Sequence, residues 1–480
     1  VTELKQLIDE LAKIVGEYHV LSSAVDLALY ETDAETLDTA RPDLVVLPAT
    51  TEELSAVIKV ANAHKISFTP RGAGTGLSGG ATTIYGGISI ALTRMNKILG
   101  LDADERVAHV QVGVTNTAVS KAAEQYGLYF APDPSSQVAS TIGGNLAENA
   151  GGAHCLKYGM TTSHILGMKL VLPNGDITEC GGNYRDSVGL DITGLLVGSE
   201  GTLGIATEAY LRLTPRSQGV QTMLAYFKTL EAGGQAVSDI IAAGIIPAAM
   251  EMIDRLSFGC VEESLHLGLN LDAGALLIVE LDGAPPVISM QRAVVERIIV
   301  ANESMEIKWA ADDQERMMIW KARKTAFAAL GRIAPHAYVL DGVIPRSRLK
   351  EAIIAIDDIG KRYELSISNI YHAGDGNLHP ALLYNRSDEE QVKKVLLAAK
   401  EILELCVHLG GTLSGEHGIG IEKLMEMPVA FAEEDLEAMR RVKRCFNPNE
   451  LCNPGKLIPT PKTCGESGRR PLIRYQIITC

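Results

Sequence analysis

The stretch Pro70–Ala81, PRGAGTGLSGGA, constrains this chain more than any other twelve residues. Ile66–Thr69 ahead of it and Ile88–Leu92 after it read as strands. Glycines clustered between strands mean a tight turn or the close approach of another group to the backbone. Successive N–H groups in such a turn make an anion-binding concavity, and Arg71 adds a fixed positive charge. Gly74–Gly79 satisfies GxGxxG, but that pattern marks a dinucleotide fold only where a helix follows. The sequence that follows, GATTIYGG up to Gly87, does not open a helix. The stretch therefore reads as a pyrophosphate cradle of another kind or as a glycine-rich loop without a ligand. Taken alone it does not decide between them.

Two further glycine groups follow. Residues 132–159 contain PDPSSQ, TIGGN, ENAGG and KYG, and Gly198–Gly204 reads GSEGTLG. Three such groups within about 140 residues, separated by short elements, suggest one extended ligand threaded along a backbone surface. A loop-rich α+β fold with glycine turns is the alternative. Between them, Thr50 and Glu53 form a capping-box pair. Leu54, Val57, Ile58 and Ala61 then recur at helical spacing, predicting a helix over Thr51–His64. Helical apolar spacing also begins at Leu4, and a helix is expected from about Thr115 to Tyr126, ending at Gly127. Ile177–Cys180 pairs with Met168–Leu172 in an expected hairpin, and Ile205–Leu213 reads as a strand. Thr214–Gly219 reads as a linker. Beyond it strands such as Ala275–Leu281 and Leu365–Ile370 alternate with helices such as Ser347–Tyr363, predicting a sheet covered by helices.

At 480 residues the chain is long enough for about two or three domains. A net charge of −15 argues against nucleic acid and anionic membranes as partners. No apolar run reaches spanning length, and the early acidic residues Glu3, Asp9 and Glu10 do not form a secretory signal. A soluble, cytoplasmic protein is expected. The eight cysteines are scattered with no CxxC. They therefore lack iron–sulfur or structural-zinc spacing, and free thiols are expected.

Two histidine-bearing segments follow the linker: YHAGDGNLH over 371–379 and GEHG over 415–418. His372 and His379 flank a glycine turn, so both imidazoles can face one point, and Glu416 adds a carboxylate. Two histidines and one carboxylate leave positions open, as in catalytic metal sites. Hydrogen-bonding histidines without a metal fit the spacing equally well. His417 cannot easily point the same way as its neighbour and reads better as a general base. Arg323, in the stretch WKARK, is able to take a carboxylate bidentately. On residues alone a solvated basic face is favoured there.

Together these motifs resemble a known family. Pro70–Ala81, Asp133–Gly159 and Gly198–Gly204 look like the FAD-binding domain of the vanillyl-alcohol-oxidase, or PCMH, flavoprotein superfamily. His372–His379, Gly415–Gly418 and NPGK at 453–456 look like the C-terminal domain of its FAD-linked 2-hydroxy-acid dehydrogenases. The similarity covers nearly the whole chain and is greatest to the FAD subunits of bacterial glycolate oxidases. D-lactate and D-2-hydroxyglutarate dehydrogenases are also close. The fold implied is α+β: a helical segment over 1–40, a two-subdomain PCMH-type FAD domain over 41–217, an FAD-linked oxidase C-terminal domain over 218–458 and a tail over 459–480. Residues 430–458 would pack back towards the FAD domain.

The resemblance implies roles residue by residue. Arg71, Gly72, Ala73, Gly74, Thr75, Gly76, Leu77 and Ser78 would hold the FAD pyrophosphate. Pro132, Asp133, Ser136, Thr141, Gly144 and Asn145 would line the flavin and its linker. Glu200, Gly204 and Ile205 would lie towards the adenosine, and Asn453 would join the cofactor site. His372, His379 and Glu416 would bind a divalent metal (Zn, Mn or Fe), His417 would be the base, and Arg323 would hold the substrate carboxylate. Some relatives attach the flavin to a histidine in the first glycine loop. Thr75 stands there in this chain, so noncovalent FAD is expected. Relatives acting on larger dicarboxylates carry a threonine where Phe327 stands and an asparagine where Ala381 stands. Both changes favour glycolate or D-lactate over 2-hydroxyglutarate. The expected reaction passes hydride to flavin N5. Electrons would go on to a second FAD-domain subunit and an iron–sulfur subunit, or to an electron-transferring flavoprotein, rather than to NAD. Any membrane association would be peripheral and through partners.

Overall fold

The computed structural model describes residues 2–184 and 189–459. From residue 460 on, the expected tail lies outside the described residues. The chain divides into two compact units. Gly152–Gly159 and Ser217–Gly415 form one, and the remaining described residues form the other.

The first unit contains two principal sheets. Val20–Leu21, Leu44–Val46, Ile88–Ala91 and Phe68–Arg71 lie side by side in that order, the last three parallel. The helix Thr51–Ala63 covers this sheet through Leu54, Val57, Ile58 and Ala61, all fully buried. Thr50 caps it, its hydroxyl accepting from the Glu53 N–H at 3.1 Å. The Glu53 carboxylate reaches one residue beyond the expected capping box, to the Ala49 N–H at 2.7 Å. The second sheet is antiparallel and runs Ile98–Asp102, Val107–Gln111, Ile205–Arg212, Ile165–Val171, Ile177–Gly181. Ile205, Thr207, Ala209 and Leu211 alternate inward along its central strand, the period-two pattern of a sheet with one covered face. The expected hairpin at residues 168–180 is the edge of this sheet.

The second unit is built on a seven-strand antiparallel path: Glu306–Trp309, Gly219–Phe227, Ala275–Gly283, Ala249–Asp254, Ser366–His372, Asn377–Tyr384, His336–Val339. A short strand, Gly342–Val343, also pairs with Asn377–Tyr384. The helix Leu230–Ala242 packs its Gly233 against Met252 and Phe227 on one face. The helices Arg255–Leu265 and Asp313–Ala329 cover the other face over Leu224, Tyr226, Leu276, Ile278, Ile253 and Ile370. Towards one end of that second face the apolar side chains give way to Thr222, Glu280, Glu251 and His372. Burying four polar groups under a helix is costly unless each is paired. The pairing sets up the candidate site. Among the described residues no helix is long and apolar enough to cross a membrane.

Candidate active site

In the first unit the glycine stretch leaves the strand Phe68–Arg71 and runs half-exposed from Gly72 to Leu77 before Ser78 returns to the interior. It lies against the start of the helix Ile142–Glu148. A Cβ on Gly72 would fall 2.5 Å from Thr141 Oγ1 and 3.5 Å from the Gly144 N–H nitrogen, so no other residue fits there without a shift. Thr141 caps that helix by accepting from Gly144 N–H. Gly74 has φ +70°, in the left-handed region. Arg71 is tied down: it donates to the Thr32 carbonyl at 2.9 Å and lies over the Tyr30 ring. Burial lowers its pKa, with Asp33 opposing. Beside this surface the buried Ser78 Oγ, Ser140 Oγ and Asn145 Nδ2 meet no hydrogen-bond partner among the described residues. Glycines that exclude a side chain, with buried polar atoms beside them, suit a polar ligand laid along the backbone. The residues fit an FAD. Pro132 is buried, its carbonyl accepting from Asn116 Nδ2 at 2.9 Å, while Asp133 and Ser136 are half-buried.

The third glycine group packs inward. A Cβ on Gly201 would fall 2.4 Å from Pro70, and Ile205 is part of the apolar core under the first sheet. Gly204 has φ +154° and sits beside Leu170 and Val171. Glu200 is buried with its carboxylate accepting from Ile419 N–H at 2.8 Å and Gly420 N–H at 2.9 Å. Its carbonyl accepts from Asn453 Nδ2 at 2.7 Å, and Asn453 also reaches the Gly80 carbonyl at 3.1 Å. Glu200 and Asn453 thus hold the segment after Glu416 and His417 against the first glycine stretch. Glu148 lies in the same pocket: a Cβ on Gly418 would meet both the Glu148 and Glu200 carboxylates. Burial, reinforced by the charge of Glu200, pushes the Glu148 carboxyl well above the usual carboxylate range. Burial drives Lys456 down to about 8, against the pull of Asp33 and Glu200.

In the second unit, His372 ends one strand of a hairpin and His379 lies within the other. The expected glycine turn joins these two strands. The two histidines are cross-strand neighbours, held by the pairs His372↔Asn377 and Ile370↔His379. That register puts both imidazoles on one face, with ring centroids 5.0 Å apart at right angles. Both are buried. His372 Nδ1 lies 2.7 Å from Glu251 Oε1, and His379 Nδ1 lies 3.1 Å from the Leu340 carbonyl. With Nδ1 as donor in each, Nε2 is the nitrogen with the lone pair. Arg323 comes down onto the same carboxylate from the helix Asp313–Ala329, its Nε and Nη2 both 2.5 Å from Glu251 Oε2. Burial alone would raise the Glu251 pKa, but Arg323 and His372 outweigh it and hold the carboxyl below its ordinary value. Arg323 is not part of a solvated basic face, since it is 3% exposed. Phe327, one turn further on, meets His379 edge-on at 6.3 Å between centroids, and Ala381 is fully buried.

The profile "FAD linked oxidases, C-terminal domain" matches residues 216–457, and "FAD binding domain" matches residues 42–181. Glycolate oxidase subunit GlcD of Escherichia coli strain K12 is 41% identical over 458 residues, spanning 95% of this chain and 92% of that one. This chain belongs to the FAD-linked oxidases. A D-lactate dehydrogenase of Anaerostipes hadrus is 30% identical, covering 94% of this chain and 97% of its own. The solved p-cresol methylhydroxylase with substrate bound shares the fold, with a TM-score of 0.80 at 17% identity over 95% of this chain and 96% of that one. The α+β architecture of a PCMH-type FAD-binding domain followed by an oxidase C-terminal domain therefore stands.

Several residues of this FAD-linked oxidase escaped the sequence reading. Glu251 and Glu280 lie in buried strands, where the predominantly apolar context AAMEMID and LLIVELDG hid them. A charged residue inside a run of that kind is the signal that could have marked them. Asp341, fully buried, accepts from Gly415 N–H at 2.9 Å and from the Ser414 hydroxyl at 2.5 Å, and lies 3.9 Å from His379 Nδ1. Asp33, raised to about 6 by burial, sits in the segment that follows the N-terminal helix. Ala34 N–H of that segment bonds the Gly76 carbonyl, a contact no local pattern announces.

Proposed function

We propose that this FAD-linked oxidase oxidises a short 2-hydroxy acid, glycolate or D-lactate, to the 2-oxo acid. The observation that carries the reading is the buried cluster of Arg323, His372 and His379 on one sheet face, taken with the names of the relatives. Arg323 grips the substrate carboxylate. Its Nε–Nη2 edge already faces Glu251, so the Nη1–Nη2 edge is the one presented to substrate. FAD, when bound, supplies the acceptor for the hydride that leaves the α-carbon. A divalent metal held by His372, His379 and Glu416 would supply Lewis acidity towards the substrate hydroxyl. The two imidazoles fit that part, because each has Nδ1 engaged and Nε2 as its lone-pair nitrogen. Glu416 and His417 follow directly on Gly415, whose N–H is held by Asp341. His417 takes the hydroxyl proton. The side chains of Phe327 and Ala381 offer no polar group to a second carboxylate, which disfavours 2-hydroxyglutarate. Thr75 offers no nitrogen for attachment, so the FAD is held noncovalently and acid precipitation should release all of it. Electrons leave through a second FAD-domain subunit and an iron–sulfur subunit, or through an electron-transferring flavoprotein. His417→Ala should keep its flavin absorbance while losing anaerobic bleaching by substrate; bleaching at the wild-type rate would refute the base assignment. Chelation by EDTA should abolish turnover and leave the FAD in place, and unchanged turnover would remove the metal from the scheme.

A further inference from the structure

We propose that Glu251 is a positioning residue that sets both the carboxylate grip and the histidine ligand of this site. This rests on the roles proposed above for Arg323 and His372. Glu251 lies in the strand Ala249–Asp254, is fully buried, and is flanked by Met250 and Met252. Its two oxygens have separate tasks. Oε1 faces His372 Nδ1 at 2.7 Å, and Oε2 accepts from Arg323 Nε at 2.5 Å with Nη2 beside it as an ion pair, although the buried Nη2 has no hydrogen-bond partner among the described residues.

Each contact has a chemical consequence. A carboxylate at Nδ1 holds the proton there and keeps the lone pair on Nε2, the arrangement that orients an imidazole as a ligand and raises its basicity. The hydrogen bond at Nε, with Nη2 drawn to the same oxygen, holds the guanidinium in place and leaves its remaining N–H groups to face the substrate. The pair would be a poor choice for stability alone, since burying two charges costs about as much as their attraction returns. His379 is anchored otherwise, through the Leu340 carbonyl. Glu251 therefore couples the two halves of the site that must act on one substrate: the carboxylate clamp and the group beside the hydroxyl.

An amide cannot serve both partners. If Gln at 251 accepts from Arg323 with its oxygen, its NH2 faces His372 Nδ1 and forces the other tautomer; if it turns round, its NH2 faces the guanidinium. FAD-loaded wild type, Glu251→Gln, Glu251→Asp, His372→Asn and Arg323→Lys would be stripped with EDTA, titrated with Zn2+, and then titrated with oxalate while the flavin spectrum is followed. Glu251→Gln should keep its FAD, bind Zn2+ roughly 10–100-fold more weakly, and bind oxalate about tenfold more weakly. Glu251→Asp keeps the charge but not the reach, and should lose at least one of the two affinities. A folded, FAD-loaded Glu251→Gln with wild-type affinity for both ligands overturns the proposal, as does failure of both Glu251 variants to fold. If His372→Asn and Arg323→Lys also leave both affinities unchanged, the site reading itself falls. If they weaken binding and the Glu251 variants do not, only the positioning role falls.

Discussion

Arg323 and Glu148 show how burial changes what a charged residue does. Arg323 is held by a carboxylate on one edge only, and its planar fork is what a substrate carboxylate would meet. Arg323→Lys keeps the charge and loses the fork. It should lower kcat/KM by about 1.5–3 kcal/mol of transition-state binding, read as a rise in KM together with a fall in kcat/KM. Wild-type values would mean that the substrate is held elsewhere. Glu148 is the opposite case, a carboxyl pushed up first by burial and then by the neighbouring Glu200. A raised carboxyl stabilises the fold fully below its unfolded pKa, and that stabilisation is lost as pH rises through the folded value. Glu148→Gln, neutral at every pH, escapes that loss. Its melting temperature relative to wild type should rise as pH is taken up from the ordinary carboxylate range into the alkaline range. A difference that stays constant across that range would contradict the assignment.

At the scale of elements, what could be read from the sequence was what repeats locally. The helix Thr51–Ala63 follows from a cap and four apolar residues at helical spacing, all of which are buried. The glycine stretch was legible because glycine marks backbone positions other residues cannot take. Gly72→Ala tests this: its Cβ would fall 2.5 Å from Thr141 Oγ1 and disturb a cap worth about 1 kcal/mol. The purified variant should carry less FAD per protein, measured as the ratio of flavin to protein absorbance, and full occupancy would contradict the cradle. The histidine hairpin was harder. YHAGDGNLH shows a turn, but the pairing that brings His372 and His379 onto one face is a matter of register, set by partners along both strands. Glu251 and Asp341 were illegible for a related reason. Each has hydrogen-bond partners about 70 or more positions away in sequence, and a lone acid in an apolar run says only that some partner exists.

At the scale of the whole molecule, each unit has its own core and its own candidate chemistry: a backbone cradle in one, a buried arginine–histidine cluster in the other. The two profile matches divide the chain near the same place, except that residues 416–457 of the C-terminal-domain profile belong to the first unit and Gly152–Gly159 of the FAD-binding profile to the second. On the proposed function, substrate size is set in the second unit. Phe327→Thr combined with Ala381→Asn should shift the ratio of kcat/KM towards D-2-hydroxyglutarate and away from D-lactate by about tenfold or more; an unchanged ratio would mean that neither residue borders the substrate. The proposed function stands on what reduces the flavin. Purified FAD-loaded protein, mixed anaerobically with glycolate, D-lactate, L-lactate and D-2-hydroxyglutarate in turn, should bleach its flavin with glycolate or D-lactate and much more slowly with the other two. A flavin that none of the four acids reduces, or that D-2-hydroxyglutarate reduces fastest, would contradict it.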